Sequence, residues 1–409
     1  MPSRPPEGEP APADGALPQP SYDEVGARPF GVYVHVPFCR TRCGYCDFNT
    51  YTASELGGGA SAVGPSSFAR LAVDELRLAR RVMGARTPPA QTVFFGGGTP
   101  TLLPPADLAL VLAAVGDEFG VEPDAEVTTE ANPDSVDLES LYALRAGGFT
   151  RVSFGMQSAV PHVLATLERT HDPDRVAAAV GWAREAGFGG VSLDLIYGTP
   201  GESLADWEHS VRTAVGMEPD HVSAYSLVVE EGTRLAGAVR RGELPAPDDD
   251  DLADKYLLAD ELLTGAGYGW YEVSNWARNP AQRCRHNLGY WHGDDWWGAG
   301  PGAHSHVGGT RWWNVRHPAA YAERLRGGSS PAQAREVLTE EDRRIERVLL
   351  GIRLVDGHPL TDVRPAGLRA AERAVTDGLL DPLAHDDGRA ALTLRGRLLA
   401  DAVVRDLVD

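Results

Sequence analysis

From residue 30 onward, short runs rich in β-branched and aromatic residues alternate with stretches in which apolar residues recur every three or four positions. The short runs predict β-strands, and the longer stretches predict amphipathic helices. The predicted strands begin near Val32, Thr92, Glu126, Arg151, Val191 and His221. Strands and helices that alternate in this way are typical of parallel sheets built from β-α units. The pattern therefore predicts an α/β fold, a partial (β/α)6 barrel of the TIM type.

Capping residues predict where some of the helices begin. Ser66 or Ser67 is expected to cap a helix over residues 68–83, and an acidic run precedes a second helix over residues 252–264. Thr339 is followed three residues later by Asp342, which is a capping-box pattern. We expect a helix from this point through Leu354.

The same pattern divides the chain into four parts. Residues 1–28 are rich in Pro, Ala and Glu and predict a disordered tail. Residues 29–230 carry the barrel core, residues 231–330 extend it, and residues 335–409 predict a small α+β domain of winged-helix-like type. Within the core, residues 53–65 are rich in Gly and Ser and are expected to form a flexible insertion.

Composition narrows the classes of function. The formal net charge of −20 argues against a nucleic-acid partner, because such surfaces neutralise phosphates with Lys and Arg. Three of the four cysteines lie within eight residues, too close together to staple a secreted fold, so a reducing cytoplasmic location is expected. No stretch reaches the roughly 18 apolar residues of a membrane span, so we expect no integral membrane segment.

Cys39, Cys43 and Cys46 follow the first predicted strand with C-x3-C-x2-C spacing. Thiolates are the ligands of iron–sulfur clusters, and three of them leave one iron of a [4Fe-4S] cluster open. A zinc site is the alternative, with His35 or a remote residue as its fourth ligand.

Polar or glycine-rich residues also stand at the ends of the later strands. Residues 96–98 are glycines after the second strand, Glu130 ends the third, Gln157 follows the fourth, and Asp194 lies in the fifth. Each alone is an ordinary cap or buried hydrogen-bond partner. Because the active sites of β-α barrels lie at this edge, their repeated placement predicts a site there.

Five short motifs form a set in the first half of the chain. They are YVHVPFC at residues 33–39, the cysteine triad, GGGTPT at 96–101, EANP at 130–133 and DLIYG at 194–198. Together they resemble the coproporphyrinogen dehydrogenase (HemN) branch of the radical S-adenosylmethionine (SAM) superfamily, over about residues 30–400. The resemblance implies a [4Fe-4S] cluster whose open iron chelates SAM. It also implies SAM contacts from Tyr33, Tyr45, Gly97, Gly98, Thr99, Glu130, Gln157, Arg169 and Asp194.

Two further features bear on which function of that branch this protein has. The dehydrogenases carry an extra cysteine two residues after the third ligand, where this chain has Phe48. His286, Asn287, Tyr290 and Trp291 match the H-N-x-x-Y-W motif of the branch's haem-chaperone group. Imidazole is a common axial ligand to haem iron, and aromatic rings can line a flat macrocycle. The resemblance thus implies a protein that carries haem as cargo to apo-haemoproteins, for example respiratory enzymes at the membrane.

Several alternatives stay open at this point. The resemblance also allows oxygen-independent decarboxylation of coproporphyrinogen III, and it leaves open whether SAM is cleaved. From the residues alone, Arg169 is equally an exposed charge at a helix start, and His286 is an ordinary loop histidine. Cys284 has no cysteine neighbour and is interpreted as a free thiol. Nearby Trp296, Trp297, His304 and His306 either extend a porphyrin-binding patch or are core and turn residues.

Overall fold

The computed structural model of this protein describes residues 8–56 and 63–408. Its strands are β1 (Glu9–Pro10), β2 (Phe30–Val36), β3 (Ala90–Gly97), β4 (Val121–Ala131), β5 (Arg151–Gln157), β6 (Gly190–Tyr197), β7 (His221–Ser226), β8 (Gly269–Glu272), β9 (Asn275–Ala277), β10 (Asp295–Ala299), β11 (His304–Val307), β12 (Thr310–Asn314), β13 (Ala332–Val337), β14 (His358–Pro359) and β15 (Arg389–Ala390). Its helices are α1 (Gln19–Asp23), α2 (Ala53–Leu56), α3 (Pro65–Met83), α4 (Pro105–Phe119), α5 (Leu138–Ala146), α6 (Pro161–Thr166), α7 (Pro173–Glu185), α8 (Leu204–Gly216), α9 (Arg234–Arg240), α10 (Asp249–Gly265), α11 (Arg285–His292), α12 (Pro318–Arg326), α13 (Glu340–Gly351), α14 (Pro365–Thr376), α15 (Pro382–Asp386), α16 (Leu394–Leu398) and α17 (Ala400–Val408).

One large sheet organises the chain. Its order is β1-β13-β12-β11-β10-β2-β3-β4-β5-β6-β7-β9-β8, and the neighbours from β2 to β7 are parallel. These are the six strands that the sequence predicts, so the α/β architecture is confirmed. Among the described residues the hydrogen-bonded order has two ends, at β1 and β8, and does not close on itself.

The alternation of side chains along the parallel strands separates two faces. On one face, Val32, Val34 and Val36 of β2 belong to the main hydrophobic core, together with Phe68 and Leu76 of α3. The side chains between them point to the opposite face, which we call the inner face. This face carries the polar and aromatic side chains of the candidate site.

The start of the chain differs from the expectation of a disordered tail. Glu9 of β1 pairs with Arg335 of β13, both through the backbone and through an Arg335 Nε–Glu9 Oε1 contact of 2.6 Å. Ser21 in α1 is buried and shares a 2.7 Å hydrogen bond with Thr310. The prediction is therefore wrong for residues 8–28, because the partners that order this segment lie about 300 positions further along the chain. Residues 1–7 of the predicted tail lie outside the described residues.

Helix starts agree with the predictions in one case and not in another. Thr339 caps α13, and Asp342 N donates to its hydroxyl at 3.1 Å, so the capping box is confirmed. The N-cap of α3 is Gly64, and Ser67 instead accepts from the Gly64 N–H at 3.3 Å. Of the predicted insertion over residues 53–65, residues 57–62 lie outside the described residues.

The C-terminal residues have a hydrophobic cluster of their own. It joins α13, α14 and α17 through Val348, Ile352, Ala371, Val404 and Leu407, beside a two-stranded sheet of β14 and β15. Contacts with the larger sheet include the Arg397 guanidinium, which lies 3.7 Å from the ring centroid of Trp270. Within residues 8–56 and 63–408, no helix is long and apolar enough to cross a membrane.

Candidate functional site

The three cysteines lie on the loop after β2. Cys39 N donates to Tyr51 O at 3.0 Å, and Cys46 N donates to Cys43 O at 3.3 Å, which fixes the two ends of the loop. All three thiols are free and half-buried. Burial raises the pKa of Cys39, and it raises the pKa of Cys46 to about 11. The ligand-free thiols of Cys39 and Cys46 are therefore protonated, and a bound metal would have to displace those protons.

The donor set fits an iron–sulfur cluster better than one metal ion. In the described part of the chain, no three His, Cys, Asp or Glu side chains lie close enough together to hold a single ion. The described residues therefore contain no preformed site for a zinc ion. A cluster of four irons spreads its ligands over several metals, and three free thiols on one loop supply three of its four ligands.

The glycines at the end of β3 pack directly against the cysteine loop. Gly97 has a φ of +107°, and a Cβ on it would lie 2.6 Å from the His35 ring. A Cβ on Gly98 would lie 2.5 Å from Phe38 O and 3.0 Å from Cys39 Sγ. Thr99 N donates to Phe38 O at 2.8 Å. Only residues without a side chain at 97 and 98 allow the strand end and the loop to approach so closely.

Two carboxyl groups lie on the inner face beside these glycines. Glu130, at the end of β4, accepts from Gly97 N at 3.1 Å, and Asp194 of β6 accepts from Ser153 Oγ at 2.8 Å. Burial and then the charge of Asp194 raise the pKa of Glu130 to about 8, and burial also raises the pKa of Asp194. A ligand that carries positive charge or donates hydrogen bonds would favour the ionised form of both groups.

Arg169 reaches the same edge from the loop between α6 and α7. Its Nη2 donates to Asn132 Oδ1 at 2.7 Å and to Gly155 O at 2.8 Å, and its Nη1 lies 3.7 Å from Cys43 Sγ. The interpretation as an exposed charge at a helix start is therefore wrong.

Asn132 is a residue that the sequence analysis did not select, although it lies within the EANP motif. It links Arg169 to Thr99 through a 3.1 Å hydrogen bond from its Nδ2 to Thr99 Oγ1. Its position in a short motif next to Glu130 is the signal that would have indicated it.

The remaining SAM candidates surround this edge. Gln157 is buried with a φ of +62°, and a Cβ on Gly155 would lie 2.8 Å from its Nε2. Tyr45 packs beside Val160 and Leu167, and burial followed by the neighbouring Cys43 raises its pKa. Tyr33 OH shares a 2.9 Å hydrogen bond with His35 Nδ1. Of the SAM candidates, Gly97 and Glu130 are in direct contact through a hydrogen bond. Thr99 and Arg169 are linked indirectly, because both bond to Asn132.

The H-N-x-x-Y-W residues lie at the opposite end of the strands. Helix α11 crosses the beginning of β3 and β4, where the N–H groups of Arg285 and His286 donate to Glu126 at 2.9 and 3.1 Å. Cys284, at the N-cap of α11, also contacts Glu126, through its Sγ at 3.5 Å. It is a free cysteine away from the cysteine loop.

The His286 side chain is fixed by two hydrogen bonds and by ring stacking. Its Nδ1 shares a 2.8 Å hydrogen bond with Thr92 Oγ1, its Nε2 shares one of 2.8 Å with Tyr290 OH, and its ring stacks on Phe94 at 5.1 Å. The residue is 4% exposed, and burial lowers its pKa to about 3. The interpretation as an ordinary loop histidine is wrong, since His286 is a neutral, buried helical residue.

A cavity of about 260 Å³ adjoins this histidine. Its lining includes Gly31, Thr92, His286, Tyr290 and Trp296. The rings of Tyr290 and Trp296 meet at 4.7 Å. Asn287 is half-buried on the same helix. Burial raises the pKa of the nearby Glu272 carboxyl to about 8, and the side chain of Trp291 opposes that rise.

Comparison with known proteins defines the class. A model of the radical SAM superfamily matches residues 33–214. The solved structure of coproporphyrinogen III oxidase (HemN) from Escherichia coli has a TM-score of 0.80, covers 97% of this chain and 94% of its own, and is 23% identical. The fold is therefore that of a radical SAM protein.

Closer relatives define the family within that class. The haem chaperone HemW of Mycobacterium tuberculosis is 56% identical over 389 residues, which are 95% of this chain and 97% of that protein. HemW of Bacillus subtilis is 33% identical over 80% of this chain and 83% of its own length. The chain belongs to the HemW family.

Proposed function

We propose that this protein is a haem chaperone that binds haem at α11 and delivers it to apo-haemoproteins. A [4Fe-4S] cluster on Cys39, Cys43 and Cys46 and a SAM molecule occupy the other end of the strands. The observation that carries the proposal is His286, a neutral imidazole of the H-N-x-x-Y-W motif beside an aromatic-lined cavity. Recipients of haem would include respiratory enzymes at the membrane, reached from the cytoplasm.

The chemistry of His286 suits a haem ligand. Iron binds the unprotonated imidazole nitrogen, and the low pKa of His286 keeps the ring unprotonated throughout the physiological range. Ligation would replace the Tyr290 or Thr92 hydrogen bond by an iron bond. The remaining hydrogen bond would then orient the ring, as outer partners of ligating histidines do.

Haem entry requires a rearrangement of α11. The cavity of about 260 Å³ lies below the roughly 300–1,000 Å³ of ordinary small-molecule sites, and a macrocycle is larger than most of their ligands. We infer that α11 shifts away from the strand ends when haem enters, which frees His286 and widens the space between Tyr290 and Trp296.

The residues at the cysteine loop fit SAM and its cluster. Gly97 and Gly98 let the end of β3 pack against the cysteine loop, Arg169 places a positive charge beside Cys43, and Glu130 and Asp194 offer acceptors. The cluster and SAM supply radical or redox chemistry when bound. The protein contributes orientation and a water-excluded environment.

Decarboxylation of coproporphyrinogen III is the second candidate function. Phe48 stands where the dehydrogenases have their extra cysteine, and 53% of its surface is exposed on the cluster loop. An apolar ring supplies no thiol chemistry, which favours the chaperone. Carbon dioxide release from coproporphyrinogen III with SAM and a reductant under anaerobic conditions would favour the dehydrogenase.

An anaerobic haem titration of cluster-reconstituted protein, followed at the Soret band, tests the proposal. We expect tight binding by the wild type and weaker binding by His286→Ala. His209→Ala, an exposed histidine on α8, is the matched control and should bind like the wild type. Equal binding by both variants would move the ligand away from His286, and absence of binding in the wild type would contradict the chaperone function.

A further inference from the structure

The cysteine loop closes on itself shortly after its last cysteine. Tyr51 N donates to Pro37 O at 2.7 Å, and Cys39 N donates back to Tyr51 O at 3.0 Å. We call the paired residues 37–39 and 49–51 the loop base. The first cysteine lies within this base, and the third lies three residues before its second half. The position of the base therefore affects both ends of the loop that carries the thiols.

One side chain in the loop base is bonded to distant parts of the chain. Asn49 Nδ2 donates to Pro301 O at 2.9 Å and to Arg316 O at 2.8 Å. Its Oδ1 accepts from Tyr51 OH at 3.2 Å and from Arg316 Nε at 3.3 Å. Both N–H groups of the amide and both lone pairs of its oxygen are thus in use. An aspartate at this position would have no N–H to donate to the two carbonyl oxygens.

The turn that accepts from Asn49 lies between β10 and β11 and depends on glycine. Gly300 has a φ of +118°, and a Cβ on it would overlap the carbonyl oxygen of His35. Gly302 has a φ of +74°, and a Cβ on it would lie 2.6 Å from Asn49 Nδ2. Glycine at these two positions therefore allows the turn to contact both β2 and the loop base.

Buried polar side chains hold the same turn from the side of the core. Glu75 of α3 is fully buried, and its Oε2 accepts from Gly300 N at 2.8 Å. Asn314 of β12 donates from Nδ2 to Glu75 Oε1 at 2.7 Å and to Gly300 O at 2.9 Å. The turn is thus fixed by both α3 and β12, and Asn49 connects the loop base to it.

We propose that Asn49 is a positioning residue for the [4Fe-4S] cluster. By bonding the loop base to the turn at residues 300–302, it fixes the backbone on either side of the cysteine loop, so that the thiolates are held in place when the cluster binds. Asn49 acts through the loop and does not ligate iron. This inference rests on the cluster of the proposed function, and it requires neither haem nor a movement of α11.

The physical reason is the entropy of the loop. A loop with free ends must lose conformational freedom before several of its side chains can bind one group. The bonds of Asn49 are already present in the ligand-free protein, so less freedom is lost when the cluster binds. Outer partners of metal ligands typically contribute about 10–100-fold to metal affinity. Since Asn49 acts through the backbone, we expect the lower end of this range, about tenfold.

Anaerobic release of iron tests the proposal. Full-length protein with a reconstituted cluster, without SAM or haem, is mixed with an excess of a ferrous-iron chelator, and the coloured complex is followed in time. We expect Asn49→Ala and Asn49→Asp to release iron about tenfold faster than the wild type. The electron paramagnetic resonance signal of the dithionite-reduced cluster should also change, because the thiolates take a different geometry around the irons. A residue that only stabilised the fold would leave this signal unchanged.

Matched variants separate the effect on the loop from general damage. Asn279→Ala removes an exposed helix cap and should keep the wild-type rate and signal. Gly302→Ala disturbs the contact from the turn and should accelerate iron release. Gly378→Ala is its matched control, because Gly378 has a similar φ of +70° with open space around it and lies in the C-terminal domain. It should leave the cluster unchanged.

The double variant Asn49→Ala/Gly302→Ala shows whether the two residues act through one contact. If they do, the double variant should release iron no faster than the faster of the two single variants. Rate increases that multiply in the double variant would overturn the proposed route through the turn.

The remaining outcomes are also decisive. If Asn49→Ala matches the wild type in rate and signal, this inference is overturned while the cluster of the proposed function stands. If the wild type takes up no iron, the cluster fails and the inference fails with it. If Asn49→Ala does not fold, Tyr51→Phe, which removes the hydroxyl bonded to Asn49 Oδ1, must release iron faster than Tyr142→Phe at an exposed position on α5. Equal rates of these two variants overturn the proposal.

Discussion

The two ends of the inner face are built in different ways. At the cysteine loop, the thiols are half-buried and free, and glycines leave space where side chains would collide. At α11, both nitrogens of His286 are already bonded, and its ring is stacked. The cysteine loop thus resembles a site ready for its ligands, whereas α11 must move before His286 can bind one.

The parallel strands explain this difference. At their carboxyl ends, the loop after β2 carries three half-buried thiols beside the glycines that follow β3. At their amino ends, α11 closes the inner face by donating its first N–H groups to Glu126. A ligand at the closed end therefore competes with hydrogen bonds that the protein already makes, and its affinity includes the cost of breaking them.

The largest expected effect is the loss of the cluster from one end of the inner face while haem binding at the other end is retained. Replacing Cys39, Cys43 and Cys46 by Ala should abolish the iron content and the cluster absorbance, because no thiolate ligands remain on the loop. Haem binding should persist, since α11 lies at the other end of the strands. Iron analysis and a haem titration of the same sample check this, with Cys284→Ala as the control that should keep its cluster. Loss of haem binding would show that the two ends are not independent.

Gly97→Ala should be the next most harmful change. Its φ of +107° is strained for any residue with a Cβ, and the new methyl group would meet the His35 ring. We expect a loss of about 1–3 kcal/mol in the free energy of unfolding, together with weaker SAM binding. Gly116→Ala, with open space around it in α4, should instead stabilise the protein in the same denaturant titration.

SAM affinity should depend on pH through Glu130. Its pKa of about 8 means that the carboxyl is protonated in the ligand-free protein at pH 7. If SAM requires the carboxylate, affinity rises by up to about tenfold per pH unit as pH increases toward 8, and levels off above it. Calorimetry in two buffers of different ionisation enthalpy should detect the released proton. Glu130→Gln should bind more weakly and without this pH dependence; an unchanged dependence would exclude Glu130 as its source.

The smallest effect concerns how firmly α11 holds His286. Thr92→Val removes the hydroxyl that bonds to Nδ1 at almost constant volume. If the iron takes the place of the Thr92 hydrogen bond, haem breaks one hydrogen bond fewer in this variant, so its affinity should increase by about 1 kcal/mol. Thr128→Val is the matched control, because the buried Thr128 hydroxyl has no hydrogen-bond partner within the described part of the chain. Equal haem affinities of the two variants would contradict the competition at α11.

Local patterns in the sequence predict much of the molecule. The six parallel strands follow from short apolar runs, and the capping box at Thr339 follows from two residues three positions apart. Both depend on neighbours along the chain, which is why periodicity and spacing suffice. The assignment of residues 8–28 to a disordered tail failed because their partners lie on β12 and β13.

The sequence by itself determined the cysteine loop, the glycines beside it and the family, because each is encoded in residues close together along the chain. Only the tertiary structure decided where the H-N-x-x-Y-W motif lies and that His286 is buried there. The partners of His286 are Thr92, 194 positions away, and Phe94, brought beneath α11 by the sheet. Burial and hydrogen bonding at such separations depend on the packing of whole elements, and no local pattern records them.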